Sequence, residues 1–284
     1  MQAERDSWYW KLRVDDALFA LLNTTRSVQD LLRSNKNIRP NSQLVDRHRG
    51  KRCFILATGP SISSEDLTLL SNEIIFAGNF FYRHHDFDRI NPTYYVIQDG
   101  KLVSGAWPME TIIDRVRAAA PEVTFLLNEA FAANQTLLNL LGSSRRFWIR
   151  ANRTLHLGYR GSWRIDRAMA QGGNVIHIAV GAAASMGFKE IYLLGVDGNG
   201  LVLDLTGQPS HFYGGPPENT AFNHEKIERD LIMSGYGFRF WRAIDAFYRS
   251  KGVRIINLSK GSLLTGLETS SLSEVMGATT GSSA

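Results

Sequence analysis

The chain has 284 residues, of which 44% are hydrophobic and 21% are charged, and its formal net charge at pH 7 is +5. This length and composition allow a full hydrophobic core and exclude a disordered or fibrous protein. The single cysteine, Cys53, excludes an intrachain disulfide framework and a zinc site built from several cysteines.

The positive charge suits an acidic partner such as a nucleotide, an anionic sugar or a phospholipid surface. The lysines and arginines are spread along the chain and form no arginine-rich tract with interleaved aromatic residues, so we expect no nucleic-acid binding. The sequence has no signal-peptide pattern and no apolar stretch long enough to cross a bilayer, which predicts a cytoplasmic location.

Residues 7–33 place apolar side chains at helical spacing, which predicts an amphipathic helical arm. Its aromatic start, residues 8–10, suits a peripheral membrane contact, but packing on the rest of the chain or on a second subunit is the preferred interpretation. The polar segment 35–50 contains Pro40 and predicts a linker. We therefore divide the chain into an arm with linker at 1–47, a catalytic domain at 48–270 and a flexible tail at 271–284.

After the linker, short apolar runs alternate with helical segments. The predicted strands are 52–58, 74–78, 94–98, 123–127, 190–195 and 253–257, and the predicted helices lie near 64–71, 108–119, 174–186 and 222–250. Alternation of this kind predicts an α/β fold, Rossmann-like, with a mostly parallel sheet flanked by helices. Such sheets bind ligands at the carboxyl ends of their strands.

A polar turn follows the first predicted strand. In it, Gly59 lets the backbone approach a ligand, Pro60 stiffens the bend, and Ser61 or Ser63 can cap a helix whose N-terminal N–H groups face an anion. Thr58 opens this turn. The spacing matches neither a Walker loop nor a Gly-x-Gly-x-x-Gly motif, so a plain strand-to-helix turn explains it about as well.

Polar side chains also follow the next two predicted strands. Asn79 follows the second strand, Gln98 ends the third and Asp99 comes directly after it. An amide at the carboxyl end of a parallel strand can donate to and accept from a base, a ribose or a phosphate. We therefore expect three neighbouring strands to place polar groups at one edge of the sheet.

A second glycine-bearing turn, Gly172, Gly173 and Asn174, opens a helix of small residues. The N-terminus of this helix predicts a second site for an anion. The helix leads into a buried strand that ends at Asp197, whose carboxylate could hold a ribose hydroxyl, an acceptor sugar or a metal. A structural role for Asp197 in a turn is the equal alternative.

Two groups of histidines are candidates for chemistry. The loop around His211 and Tyr213 offers a general base and a hydroxyl donor to phosphate oxygens. The rival cluster is His84, His85 and Asp86. Adjacent histidines in a strand or loop are expected to point apart, so we predict a surface loop there and no shared metal.

The order of these motifs resembles the superfamily that joins small bacterial sialyltransferases to the domain named after archaeal 6-hydroxymethylpterin diphosphokinase. The resemblance covers roughly residues 50–270 and is most specific over 187–197, Gly-Phe-Lys-Glu-Ile-Tyr-Leu-Leu-Gly-Val-Asp. It implies that Asn79 and residues 58–61 contact a donor nucleotide, and that residues 172–174 contact its phosphate or sugar. It implies a nucleotide or acceptor contact for Asp197, a general base at His211 and a donor to the departing phosphate at Tyr213.

The preferred hypothesis is a glycosyltransferase of surface-polysaccharide or glycoconjugate assembly that uses a nucleotide-sugar, with a CMP-sugar favoured. Its partners would be the nucleotide-sugar and a glycan acceptor, with homo-oligomerisation left open. Direct displacement needs no metal and no cofactor besides the donor. One alternative is an ATP- and Mg²⁺-dependent diphosphokinase of the hydroxymethylpterin type, with Asp99 and Asp197 as magnesium ligands. Another is a non-catalytic binding subunit of a glycan-assembly complex.

Overall fold

The computed structural model describes residues 9–214 and 227–280. Within these ranges the strands, in chain order, are β1 (Arg52–Leu56), β2 (Ile75–Gly78), β3 (Tyr94–Ile97), β4 (Thr124–Asn128), β5 (Arg146–Ile149), β6 (Arg153–Thr154), β7 (Ala170–Gln171), β8 (Glu190–Leu194), β9 (Arg254–Asn257) and β10 (Glu268–Thr269). The α-helices are α1 (Tyr9–Leu31), α2 (Phe87–Ile90), α3 (Met109–Ala119), α4 (Gln135–Leu141), α5 (Val175–Ser185), α6 (Gly200–Leu205), α7 (Ile227–Arg249) and α8 (Leu272–Thr280).

Eight strands form one sheet in the order β10-β9-β8-β1-β2-β3-β4-β5, and every neighbouring pair is parallel. Strands β6 and β7 form a separate parallel pair. Helices flank the large sheet, so the Rossmann-like α/β fold predicted from the sequence is confirmed. All six predicted strands belong to the large sheet, with bounds shifted by a few residues at most.

Alternate residues of the central strand β1 enter two separate hydrophobic clusters. Cys53 and Ile55 join the cluster that contains α5 and α7, whereas Phe54 and Leu56 join the cluster that contains α3 and α4. A sheet covered on both faces needs apolar residues on both faces of its strands. This explains why the parallel strands read as unbroken apolar runs in the sequence.

Two parts of the predicted helices differ from the structure. The segment predicted as a helix near 64–71 forms two 3₁₀ helices, Pro60–Ser64 and Leu67–Leu70. Asp66 separates them, because its side chain accepts a hydrogen bond from the main-chain N–H of Thr68 (3.1 Å) and caps the second. The helix predicted at 222–250 corresponds to α7, and residues 222–226 lie outside the described residues.

The segment predicted as a flexible tail begins with α8, which the sequence analysis did not predict. Ser271 and Glu274 form a capping box at its start: the main-chain N–H of Ser271 donates to Oε2 of Glu274 (2.9 Å), and the N–H of Glu274 donates to Oγ of Ser271 (3.2 Å). Leu272 is buried in the core. A local cap and one buried leucine therefore fix the start of this helix.

The N-terminal arm, α1, packs on the domain through its polar face. Asn23 exchanges two hydrogen bonds of 2.8 Å with the main chain of Thr154 in β6, and Asp30 pairs with Arg153 at 2.5 Å. The predicted linker also packs against the sheet, because Asn41 is fully buried and donates to two main-chain carbonyls. No helix in the described ranges combines the length and the apolarity that spanning a membrane requires.

Candidate functional site

The strand order reverses at β1, which places a crevice beyond the carboxyl ends of β1 and β8. The chain proceeds from β1 toward β5 on one side, and β8 pairs with β1 on the other. Open α/β sheets bind ligands at such a reversal. A cleft of about 630 Å³ lies here, and residues following β1, β2, β3, β4 and β8 line it.

Two glycines bring the ends of β1 and β8 into direct contact at the cleft. The main-chain N–H of Gly59 donates to the carbonyl of Gly195 at 2.9 Å. A Cβ on Gly59 would lie 2.6 Å from Oδ2 of Asp197, and one on Gly195 would lie 2.7 Å from the carbonyl oxygen of Ala57. Gly195 also has a φ of +70°, which favours glycine. The backbone at Gly59 is expected from the sequence to approach a ligand. In the structure it lies against the turn that follows β8.

Asp197 is bonded at both carboxylate oxygens to the turn after β1. Ser61 donates its main-chain N–H to Oδ2 (3.0 Å) and its hydroxyl to Oδ1 (2.5 Å). The carbonyl of Asp197 accepts from the N–H of Leu263 (2.8 Å), and its side chain is buried. Ser61 and Pro60 belong to the 3₁₀ helix beneath the cleft and are not part of its lining. These contacts give Asp197 a structural role in joining the two turns.

His211 lies over the end of β1 and lines the cleft. Its Nδ1 is 2.9 Å from Oγ1 of Thr58, and the next residue, Phe212, donates its N–H to the carbonyl of Thr58 at 2.9 Å. This double attachment sets the position of the imidazole. When Nδ1 carries the proton and donates to Thr58, Nε2 keeps a lone pair that can accept a proton.

Tyr213 lies behind His211 and outside the cleft lining. The two rings stack with centroids 5.2 Å apart and planes 8° apart. The tyrosine ring also packs near Phe80, with centroids 5.8 Å apart, and lies under the guanidinium of Arg83 at 4.9 Å. The ring of Tyr213 therefore supports the imidazole, and the phosphate contact predicted for its hydroxyl stays a prediction.

Three amide side chains line the cleft with unpaired oxygens. Among the residues that the structure describes, Oδ1 of Asn79, Oε1 of Gln98 and Oδ1 of Asn199 are buried and have no hydrogen-bond partner. Gln98 is held from its other end, because Nε2 donates to the carbonyl of Leu126 at 3.2 Å. Buried polar atoms are normally satisfied, so a ligand with N–H or O–H groups would complete this site.

The turn before α5 contributes Gly173 and Asn174 to the cleft, but Gly172 lies outside its lining. A Cβ on Gly172 would lie 2.6 Å from Nδ1 of His177, so this glycine is required for packing. Asn174 caps α5 through Oδ1, which accepts from the N–H of Ile176 at 2.8 Å. The helix N-terminus predicted to face an anion is therefore at the cleft, with one of its N–H groups already satisfied by the cap.

A model described as 6-hydroxymethylpterin diphosphokinase MptE-like matches residues 24–199, which is more than half of the chain. The chain belongs to the MptE-like family. The match includes the arm from residue 24 onward and ends two residues after Asp197. No curated protein matches the sequence significantly.

Solved structures similar to this MptE-like protein include transferases. The Maf glycosyltransferase from Magnetospirillum magneticum AMB-1 has a TM-score of 0.48 and 17% identity, over 84% of this chain and 38% of that one. The sialyltransferase CstII from Campylobacter jejuni, in complex with the substrate analogue cytidine-5'-monophosphate, has a TM-score of 0.41 and 16% identity, over 78% of this chain and 85% of that one.

The sialyltransferase Cst-I from the same organism has a TM-score of 0.39 and 15% identity, over 77% of this chain and 79% of that one. The MptE-like chain spans 38% of the length of the Maf glycosyltransferase. All of these TM-scores are below 0.5, so no activity is assigned to the chain from these similarities.

Further residues of the MptE-like cleft were not singled out in the sequence, among them Lys101 and Asn128. Asn128 ends β4 and donates Nδ2 to the carbonyl of Gln98 at 2.9 Å. It is a polar residue at the end of an apolar strand, as Gln98 is in the sequence, so the same signal could have identified it. Lys101 adds a cation at the cleft. In the sequence, only its position two residues after Asp99 could have indicated that it lies there.

Asp99 and Asp197 do not fit a magnesium pair. Asp99 lines the cleft and is exposed, and its Oδ1 accepts from the N–H of Lys101 at 2.9 Å. Asp197 already accepts from protein donors at both oxygens. A magnesium site uses carboxylates that are free to replace water on the ion. The diphosphokinase alternative therefore lacks, in these residues, the prepared pair of ligands that it requires.

The rival histidine cluster has a different geometry from the one predicted. The rings of His84 and His85 do not point apart but stack with centroids 4.3 Å apart, and together with Asp86 they place ligand atoms within 4.8 Å of one another. Nδ1 of His84 accepts from the N–H of Asp86 at 3.2 Å, which puts the proton of the neutral ring on Nε2. Asp86 and Asp88 also have Asp-x-Asp spacing, but Asp88 pairs with Arg115. None of these residues lines the cleft.

His177, in the first turn of α5, is buried in the core behind the cleft. Its ring packs edge-on against Trp241, with centroids 4.5 Å apart. Burial lowers its pKa to about 3, against a smaller opposite effect of the main chain of Gly172. The folded protein therefore keeps this histidine neutral, whereas the unfolded chain protonates it below its ordinary pKa of 6.5.

We expect His177 to make the protein less stable in acid. Its stabilising contribution is fully present above pH 6.5 and is lost as the pH falls from 6.5 toward 3, because the unfolded state binds the proton first. Replacing His177 with leucine should therefore reduce the slope of unfolding free energy against pH by about 1.4 kcal/mol per pH unit below pH 6. Urea unfolding between pH 7.5 and 5 measures both slopes, and parallel curves for the two proteins would contradict the expectation.

Proposed function

We propose that this protein is a glycosyltransferase that transfers a sugar from a nucleotide-activated donor, with a CMP-sugar favoured, to a hydroxyl group of a glycan acceptor. The observation that carries the proposal is the cleft at the strand reversal, where unpaired amide oxygens and the imidazole of His211 line one space. A nucleoside offers amino and hydroxyl donors to the unpaired side-chain oxygens of Asn79, Gln98 and Asn199.

The proposed site also suits the phosphate of such a donor. Lys101 lines the same cleft, and the N-terminus of α5 begins beside it at Asn174. A cation and a helix N-terminus both stabilise negative charge. The charge that develops on the departing phosphate would be stabilised by these groups.

In the proposed reaction, the acceptor hydroxyl attacks the anomeric carbon of the donor sugar. The new glycosidic C–O bond forms as the bond from that carbon to the phosphate oxygen breaks, and the nucleotide leaves with the bonding electrons. Nε2 of His211 takes the hydroxyl proton, which requires the tautomer in which Nδ1–H donates to Thr58. The stacked ring of Tyr213 keeps the imidazole in this orientation.

The family match favours a second candidate, transfer of pyrophosphate from ATP to a hydroxymethyl group, because the family model carries the name of such a diphosphokinase. That reaction requires Mg²⁺ bound to the phosphates. The hydrogen bonds that Ser61 donates to both carboxylate oxygens of Asp197 weigh against the diphosphokinase. A non-catalytic binding role would use the same cleft without His211 acting as a base.

A thermal-shift screen separates these candidates, because a ligand that binds only the folded state must raise the melting temperature. We expect CMP to raise it without magnesium, by several degrees at about 100 times its dissociation constant. The other ligands are CDP, UDP, GDP and ATP, each with and without Mg²⁺.

Gln98→Met should remove the CMP shift, whereas the matched variant Gln43→Met, at an exposed glutamine outside the cleft, should retain it. A shift confined to ATP with Mg²⁺ would favour the diphosphokinase. Equal CMP shifts for the two variants would contradict the nucleoside site proposed at Gln98.

A further inference from the structure

The arm helix α1 turns its apolar side away from its own domain. Val14, Leu18, Leu21, Val28 and, directly after the helix, Leu32 are 46–90% exposed. Helices of globular proteins normally bury this side and leave the polar side in water. Here the arrangement is reversed, so the apolar stripe formed by these five residues has no cover within the described chain.

The side of α1 that is attached to the domain is polar apart from Phe19, whose ring packs near Tyr236 and Phe240. Asp16 pairs with Arg239 at 2.6 Å and Asp30 pairs with Arg153 at 2.5 Å, near opposite ends of the helix. Between them, Asn23 is bonded twice to Thr154. These bonds fix the rotation of the helix about its axis and therefore hold the apolar stripe outward.

The spacing within the stripe is that of a helix-to-helix seam. Positions 14, 18, 21, 25, 28 and 32 alternate in steps of four and three, and only Thr25 among them is not apolar. An average repeat of about 3.5 residues keeps one narrow seam facing a partner helix, as in coiled coils. A lipid surface sets no such period, because it accepts any broad apolar face.

The stripe is also free of charge along its length. The charged residues between Val14 and Leu31 are Asp15, Asp16, Arg26 and Asp30, and each contacts the domain through a hydrogen bond or an ion pair. In a twofold dimer the same surface meets itself, so a charged stripe would place like charges together. This stripe avoids that repulsion.

The exposed area suits a stable dimer. Trp10, Leu22 and Leu31 border the stripe and are themselves 46–83% exposed. Together these apolar side chains provide an area on the order of the 800 Å² per partner found in standard interfaces. An apolar patch of that size on one surface marks an interaction site.

We propose that α1 is a dimerisation helix, whose apolar stripe pairs with the same stripe of a second copy of this chain. The partner helix packs along the seam at a small crossing angle, as in other 3.5-residue repeats. The interface is independent of the cleft, since the two share no residue. The proposal therefore does not rest on the proposed transferase activity.

Sedimentation equilibrium of the full chain tests this proposal. The wild-type protein should have twice the 31.8 kDa mass of one chain. The double variant Leu18→Glu and Leu21→Glu should weaken dimerisation by at least about 100-fold, because it places four carboxylates in one seam. Leu69→Glu is the matched control, since Leu69 is 47% exposed and lies away from α1, and it should remain a dimer.

Far-UV circular dichroism verifies that each variant is folded. A wild-type protein that is monomeric at about 100 µM, where a standard interface is expected to associate, would overturn the proposal. A dimer that survives the double substitution would overturn it as well.

Lys11, Arg13 and Arg33 lie near the ends of the stripe, so anionic lipid is the alternative occupant. Flotation with phosphatidylserine vesicles tests that alternative. A monomer that floats only with Leu18 and Leu21 intact would overturn the proposed dimer and support a membrane contact by the apolar stripe.

Discussion

Replacing His211 with alanine is expected to lower the turnover number for sugar transfer by about 10² to 10⁴-fold. The proposed reaction needs a base for the acceptor hydroxyl, and His211 is the cleft-lining imidazole that Thr58 orients at 2.9 Å. The variant should bind the nucleotide as before, because the proposed nucleoside contacts are made by Asn79 and Gln98. Release of nucleotide from the donor, measured in the presence of acceptor, gives the turnover number.

Two further variants test whether the loss of turnover is specific to His211 as the general base. Thr58→Val keeps the shape of the side chain but removes the hydroxyl that contacts Nδ1, so its turnover number should fall less than that of His211→Ala. His156→Ala changes a histidine outside the cleft and should leave turnover unchanged. Retention of full turnover by His211→Ala, with the nucleotide shift intact, would refute His211 as the general base.

Replacing Glu129 with alanine is expected to lower the free energy of unfolding by about 3–5 kcal/mol. Glu129 receives two hydrogen bonds from Arg150, at 2.6 and 2.7 Å, and both side chains are buried. Arg150 also donates to Asn35 and to the carbonyl of Ser34, which follow the arm helix. Without Glu129, the buried guanidinium of Arg150 would lose its closest carboxylate. Removing one partner of a buried ion pair is strongly destabilising, because the other charge stays buried without compensation.

Urea unfolding measures this loss, and an exposed pair provides the comparison. Asp88 pairs with Arg115 at 2.5 Å, but both side chains are in contact with water. Asp88→Ala should therefore lower the free energy of unfolding much less than Glu129→Ala, because water screens the exposed pair. The double substitution Glu129→Leu with Arg150→Met should cost less than Glu129→Ala alone, because it removes both charges. A loss for Glu129→Ala no larger than that for Asp88→Ala would contradict the expected effect of burial.

The large sheet could be predicted because its central strands are buried on both faces and therefore read as apolar runs. The polar residues at the strand ends could be predicted for the same reason, since Asn79 and Gln98 interrupt those runs abruptly. The edge strands β5 and β10 were missed. Strand β10 has two polar residues, Glu268 and Thr269, and β5 begins with arginine, so neither carries the signal of a buried strand.

The roles of individual site residues could not be predicted, because they depend on contacts between distant parts of the chain. The sequence leaves a ligand role and a structural role equally open for Asp197, and the hydrogen bonds from Ser61 to both of its oxygens favour the structural one. The stacking of the Tyr213 ring on His211 and its packing against Phe212 also leave no sign in the sequence. Sequence patterns locate such residues at the edge of a sheet. They do not indicate which neighbouring groups form hydrogen bonds with the polar atoms of these residues.

The small pair β6 and β7 connects the arm to the cleft. Thr154 of β6 is held by Asn23 of the arm and lies in register with Gln171 of β7. Gln171 lines the cleft and accepts the N–H of Gly173 at 2.7 Å, in the turn that begins α5. A chain shortened to begin at residue 48 would keep every strand of the large sheet and still lose the anchor of one cleft wall. The arm thus supports one wall of the cleft through contacts that cross the boundary predicted after residue 47.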